Sequence, residues 1–289
     1  MLAEVKELWK YRELLVSMVE RELRIRYKNS VLGFFWSLIN PLVTVLVLTF
    51  VFKNLNGDRT DNFSAYVLAG YLPYMFFQFA ILDSAQSILI ALPLVRKIYF
   101  PREILPLSVI ISNFIHFLLA LVVFFAYLLV IWLMHPGQSP FQWTALLLPF
   151  LLVVNLALAT GFGLLISALN TFYEDVKYIV SVALYLLFFL CPIFYFSERV
   201  YYGKATSGTN WIYIFYHLNP VAMLCTAYRK ILLAPQPVDI IGADRVTHTY
   251  PALPLDLALS LVAATISFLM LWIGYTVFNR MKWKFVERP

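Results

Sequence analysis

Few residues in this 289-residue chain are equipped for chemistry, and the densest set is a run of cations. Arg24, Arg26 and Lys28 close the charged stretch 20–28 directly before an uncharged one that runs from Val31 through Phe52. Guanidinium and ammonium groups so placed suit phosphate oxygens through charge-assisted hydrogen bonds. They equally suit anchoring to anionic lipid headgroups, and both readings stay open. Elsewhere reactive groups are scattered. His116, His135, His217 and His248 fall on separate segments with no HExxH or clustered Cys/His spacing, so no metal site is expected. Cys191 and Cys225 suggest neither a disulfide framework nor a metal pair. Glu174 and Asp175 are adjacent, and adjacent helical residues do not face each other as a catalytic pair must. No catalytic residue is expected. Gly203-Lys204-Ala205 lacks the earlier glycine and the hydroxyl of a phosphate loop, so this chain does not hold ATP in that way. Asp83 follows an apolar run and reads either as a helix-end residue or as an ion-coupling carboxylate.

The elements that position these groups are membrane helices. Hydrophobic residues make up 62% of the chain and charged ones 13%, with a mean hydropathy of +0.78, far from a soluble domain, where about a quarter are charged. Uncharged apolar stretches predict six spans at 34–52, 63–82, 104–134, 141–169, 178–196 and 257–278. The stretch 211–228 carries His217, Asn219 and Pro220 at its middle. It is expected to form two short helices that dip into the bilayer and return, because broken backbone persists there only under protein or water cover. The expected fold is an all-α integral membrane protein of six transmembrane helices. An amphipathic interface helix occupies 1–33, the spans lie within 34–282 with a re-entrant outer gate between the fifth and sixth, and a tail covers 283–289. The first 30 residues are too charged for a secretory signal, so the amino terminus is expected to be retained. With that terminus cytoplasmic, most of the 22 Lys and Arg residues lie inside, including the tail. The net charge of +6 is then a membrane-edge feature, and no nucleic acid is needed to explain it.

Three further patterns suggest how the helices are used. Val5, Leu8, Trp9, Leu15, Val19 and Leu23 recur at helical spacing among Lys, Arg and Glu, which marks an interfacial helix. The loop 94–106 packs cations, aromatics, Pro101 and Pro106 into a short turn, and Pro101 at a first helical turn would present a short helix to a partner. Phe, Tyr and Trp make up 17% of the chain. Most belong to interface belts or packing, while Phe35, Trp36, Tyr71, Tyr74, Phe77, Trp211, Tyr213 and Tyr216 form groups able to line a sugar path.

The segments ERELRIRYKNSVLGFFWSLINPL, LVRKIYFPREILPLS and NTFYEDVKY, in this order, resemble the permease subunits of type-2 ABC exporters. Those move lipid-linked surface polysaccharide, as in the O-antigen, capsule and wall teichoic acid permeases, and the likeness spans nearly the whole chain. It implies a homodimer in the bacterial cytoplasmic membrane, docked to two copies of a separate subunit that holds ATP and Mg. It also implies coupling through Leu94, Val95, Arg96, Lys97, Ile98, Tyr99, Phe100, Pro101 and Arg102, with a second contact at Glu174 and Asp175. The substrate entrance would use Arg24, Arg26 and Lys28, and the outer gate would include Asn219 and Pro220 in HLNPVAMLCTAYRKIL. Two other classes predict different features. An ion-coupled carrier would carry inverted repeats and mid-bilayer ligands, and a membrane enzyme acting on prenyl-linked sugars would cluster acids or histidines at one interface.

Overall fold

The computed structural model describes residues 2–27, 35–51, 62–134, 142–202, 211–241 and 247–286. Its helices, in chain order, are α1 (Leu2–Lys10), α2 (Arg12–Tyr27), α3 (Phe35–Phe50), α4 (Phe63–Ile90), α5 (Leu92–Lys97), α6 (Ile104–Met134), α7 (Leu148–Phe172), α8 (Val176–Leu190), α9 (Ser197–Tyr202), α10 (Trp211–His217), α11 (Pro220–Leu232) and α12 (Leu257–Met281). Tight 3-10 turns at Trp143–Leu147 and Lys282–Val286 lead into α7 and out of α12. Among the described residues, four helical stretches are long and apolar enough to cross a bilayer alone: α4, α6, α7 with its leading turn, and α12 with its trailing turn.

The helical class stands with one correction. Val238–Ile241 (β1) and Thr247–Tyr250 (β2) pair antiparallel, with Val238 opposite Tyr250 and Ile241 opposite Thr247. The β-branched and aromatic content of VDII and THTY is the local signal for that hairpin, and the all-α expectation passed over it.

α4 is the hub of the bundle, packing against α7, α6, α11, α3 and α8. Its apolar residues point in all directions and most are buried, which is what a central helix requires. The tightest seam lies between α7 and α12. A Cβ on Gly161 would come 2.5 Å from the Met270 backbone, and one on Gly274 would fall on the Gly161 carbonyl. Only hydrogen fits there, so the two backbones touch directly, as small residues permit between membrane helices.

Four boundaries differ from the sequence reading, each for a local reason. The interfacial segment is two helices broken at Tyr11, with Leu8, Leu14, Leu15 and Met18 turned to the core, while Trp9 is 71% exposed and stacked under Arg12. The helix expected to stop at 82 continues to Ile90, because Asp83 is neutralised in place and does not need the helix end. The short helix of the 94–106 loop is α5, opened by Pro93 rather than Pro101, and Ile98 leaves it in extended conformation. Finally, the stretch 178–196 is helical only as α8. Pro192 biases its predecessor against helix, and Cys191 is accordingly extended.

Candidate coupling surface and outer gate

Both terminal segments gather at one end of the bundle. One apolar cluster joins Met18 of α2, Val95 of α5, Phe100, Leu164 and Ala168 of α7, Phe278 of α12 and Phe285 of the last turn, with Leu8, Tyr11, Leu94 and Phe172 packed on it. The cluster unites segments that the sequence keeps more than 250 residues apart, from Leu8 to Phe285. Among the described residues, a single ion pair crosses it. Lys282 Nζ donates to Glu103 Oε1 at 2.5 Å with both side chains almost fully buried, and Arg102 donates to the Lys282 carbonyl. Burial pushes the Arg102 guanidinium below its ordinary value, with the neighbouring Glu103 and Tyr99 acting the other way. A buried pair of this kind contributes little by existing but costs about 3–5 kcal/mol when one partner is removed.

On this base the loop residues divide into two sets. Val95 and Phe100 are buried in the cluster and Pro101 is buried next to Phe100, Leu94 and Arg102 are half-buried, whereas Arg96, Lys97, Ile98 and Tyr99 are exposed, Tyr99 to 68%. Beside them the α7–α8 turn presents Tyr173, Glu174 and Asp175. That turn is fixed from within: Asn170 is fully buried, its amide donates to the Ala85 carbonyl at 2.8 Å, and its Oδ1 accepts from Lys177 N at 3.0 Å. Two exposed patches therefore stand on one base.

The cation run does not act as a unit. Arg24 is exposed, 3.5 Å from Glu20 on its own helix. Arg26 instead reaches across to α4 and α6, donating to Asp83 at 2.7 Å and to Asn113 Oδ1 at 2.9 Å, while the Asn113 amide donates to Asp83 at 3.0 Å. The pair is more than a third exposed, so screening limits it to about 0–1 kcal/mol. It registers α2 against the bundle, and it explains how α4 carries an acid in its length. Lys28 lies outside the described residues.

The opposite end is organised around the break after α8. The break at 191–196 leaves the Ile193 and Tyr195 carbonyls without a helical partner, and a membrane environment makes each one costly. Arg229 of α11 takes them up. It is 4% exposed and donates to the carbonyls of Ile193, Tyr195 and Tyr66 and to the Tyr66 hydroxyl, with its guanidinium 4.0 Å over the Tyr66 ring. Gly70 leaves the room, since a Cβ there would meet the Arg229 guanidinium at 2.7 Å. Sequence reading missed Arg229. Its only sequence signal is a pair of adjacent cations, Arg229 and Lys230, in the otherwise apolar stretch TAYRKIL, and such residues mark a buried partner or a function by default.

Asn219 and Pro220 form the joint between α10 and α11. Asn219 caps α11 by accepting from Val221 N at 3.1 Å, and Pro220 takes the first helical position, where no N–H is needed. His217 bridges the joint, its two ring nitrogens 3.0 Å from the Tyr213 carbonyl and 3.1 Å from the Thr226 hydroxyl. α11 is buried along nearly its whole length, whereas α10 exposes Trp211, Ile212 and Phe215. The aromatic groups separate in the same way. Tyr74 and Phe77 are core residues of this chain, Tyr74 donating to the Leu184 carbonyl, so their rings fill the bundle instead of facing open space. Tyr213 is also buried, Tyr71 and Tyr216 are half-buried, and Trp211 is exposed. The side chains of Phe35 and Trp36 lie outside the described residues.

A multi-pass helical bundle with an exposed loop surface at one end and a broken helix pair at the other defines the membrane-embedded subunit of a transporter. The chain belongs to the ABC-2 type transporter family, which matches residues 13–233. It is similar to the O-antigen export system permease protein RfbA of Myxococcus xanthus, with 30% identity over 287 residues that cover 99% of each chain. Two proteins of the same name from Klebsiella pneumoniae are each 26% identical over 275 residues, covering 95% of this chain and 94% of theirs. The chain is thus a permease subunit rather than an enzyme.

Proposed function

We propose that this chain is the transmembrane subunit of an ATP-driven exporter that moves a prenyl-diphosphate-linked polysaccharide of O-antigen type across the bacterial inner membrane. It works as a homodimer with two copies of a separate ATP-binding subunit, which carries ATP and Mg. α3 and α8, with the residues that adjoin them, complete six spans, both termini are cytoplasmic, and α10 with α11 forms a re-entrant gate on the outer side. Capsule and teichoic acid polymers use the same class of machine, and the relatives' names favour O-antigen. The observation that carries the reading is the pair of exposed patches, Arg96 to Tyr99 and Tyr173 to Asp175, standing on a cluster that also grips both terminal segments.

Force from the partner is taken up at Arg96, Lys97, Ile98 and Tyr99, with Glu174 and Asp175 as the second contact, and Val95, Phe100 and Pro101 pass it into the cluster. Arg24 and Lys28 offer charge to the lipid diphosphate, while Arg26 holds α2 in register. At the gate, the exposed α10 moves against the anchored α11 about Asn219 and Pro220.

Deletion of the gene tests this directly. Surface polysaccharide should disappear while lipid-linked glycan accumulates inside, and the partner ATPase should copurify with the wild-type chain in equal amount. Surface glycan that persists at its normal level after deletion would overturn the proposal.

A further inference from the structure

At the end opposite the termini, a pocket of about 250 Å³ opens between α4, the turn before α7, α9, α11 and the segment leading to α12. It is smaller than the roughly 300–1,000 Å³ of sites for drug-sized ligands, so it takes a single ring and not a chain. Its walls are mainly apolar, formed by residues such as Phe196, Leu233, Pro235 and Leu255. The polar groups around it decide what that ring must be.

Most donors in the pocket are already engaged. Lys230 Nζ bonds Glu198 at 3.2 Å and the Leu253 and Pro254 carbonyls at 2.9 and 3.2 Å. Arg229 serves the carbonyls described above, and Thr144 donates to the Ile231 carbonyl at 2.9 Å. What remains is acceptor capacity, beside the amide N–H groups of Gln142 and Gln236. Gln236 Oε1 is buried with no partner among the described residues. The almost fully buried Glu198 carboxylate accepts from Ser197 at 3.1 Å and from Leu253 N at 3.4 Å, which leaves lone pairs over. A ligand must therefore bring hydrogen-bond donors, because a buried acceptor left unmet costs about 1–3 kcal/mol.

Three ligand classes fit poorly. A phosphate ester brings only acceptors to Gln236 Oε1 and Glu198, and the two cations beside it are already bonded to carbonyls and to Glu198. A lipid chain brings no donors. An ammonium brings donors but meets Arg229 and Lys230, two cations against one acid. Sugar hydroxyls donate without charge, and the C–H face of a pyranose suits the Phe196, Leu233 and Pro235 wall.

We propose that this pocket is a saccharide subsite that holds one pyranose unit, with its hydroxyls donating to Gln236 Oε1 and Glu198. As an assignment to the exported polymer it rests on the export reading above, and it gives the outer face of the permease a recognition step. The pocket is walled by α11, so an occupied subsite links the arriving glycan to the gate.

The test uses the full chain with its ATPase partner in nanodiscs made without maltoside or glucoside detergents, whose headgroups would fill the pocket. Saturation-transfer NMR is recorded with the methyl glycosides of glucose, mannose, galactose, rhamnose and N-acetylglucosamine, and with glycerol 1-phosphate as the anionic control. At least one glycoside should receive transfer, weakened about fivefold in Gln236→Leu for the loss of one hydrogen bond of about 1 kcal/mol. Glycerol 1-phosphate should receive none. Leu233→Trp, which fills the pocket from its apolar side, should abolish the signal and stands in if Gln236→Leu does not fold. No transfer to any glycoside, transfer unchanged in both variants, or stronger transfer to glycerol 1-phosphate overturns the subsite. If deletion of the gene removes surface glycan yet no glycoside binds, the subsite alone falls. Glycoside binding lost in Leu233→Trp, in a strain whose surface glycan survives deletion, keeps the sugar site and sinks the export reading.

Discussion

At the end that gathers the termini, α2, α5, α7 and α12 meet through apolar side chains with one buried ion pair between Glu103 and Lys282. At the opposite end, α11 is fixed through directional contacts: Arg229 on three carbonyls, His217 on Tyr213 and Thr226, and Lys230 on Glu198. Apolar contact is non-directional, so a cluster tolerates small sliding of its members. Hydrogen bonds lose strength steeply once bent or stretched, so a network of them holds one register or gives way. The difference matches the work proposed for each end. In the proposed mechanism one end accepts graded displacement from a motor, and the other stays shut until it opens.

Substitutions can break that contrast in order of size. Arg229→Leu should have the largest effect. It strips the donor from the Ile193 and Tyr195 carbonyls of the break, at about 1–3 kcal/mol each, so the protein should fail to accumulate in the membrane, as read by immunoblot against wild type. Accumulation at the wild-type level would show that the far end does not depend on its directional contacts. Lys282→Met comes next, at about 3–5 kcal/mol, because it leaves the Glu103 charge buried and alone. The double change with Glu103→Gln should regain most of that loss in thermal unfolding in detergent, since an uncharged pair fits an apolar cluster. A double variant no more stable than the single one would mean that the ion pair, not the apolar cluster, holds that end. Asn219→Ala should cost only about 1 kcal/mol through the lost cap, yet raise leakage of a small fluorescent dye from proteoliposomes. A stable variant with unchanged leakage would remove the joint from the gate.

The sequence made the four long apolar helices, a short helix in the 94–106 loop and the joint at Asn219–Pro220 legible, because apolar length, proline and capping residues act locally. It could not disclose the partners. Arg26 and Asp83 lie 57 positions apart and Lys282 and Glu103 179, and helical periodicity assigns a residue to a face without saying what that face meets. Trp9 shows the same limit in reverse: its spacing fits an apolar stripe, but the break at Tyr11 resets the phase and leaves it exposed. Tyr74 and Phe77 are packed rings, and composition does not separate a ring that packs from one that lines a path. Arg229 was readable only as an oddity, since the carbonyls it serves arise from the break at Cys191.

The backbone contact of Gly161 with Gly274 has a mechanical consequence. With no side chains between them to deform, α7 and α12 behave as one stiff beam. α12 has 25 residues, about 37 Å of helix. One end is seated beside Lys282 in the cluster, and the other begins at Asp256, directly after Leu255 in the sugar-sized pocket. A tilt of about 5° on such a beam swings its far tip by about 3 Å. That swing, roughly the reach of one hydrogen bond, would let a small rotation at one end of the bundle be felt as the making or breaking of a single contact at the other.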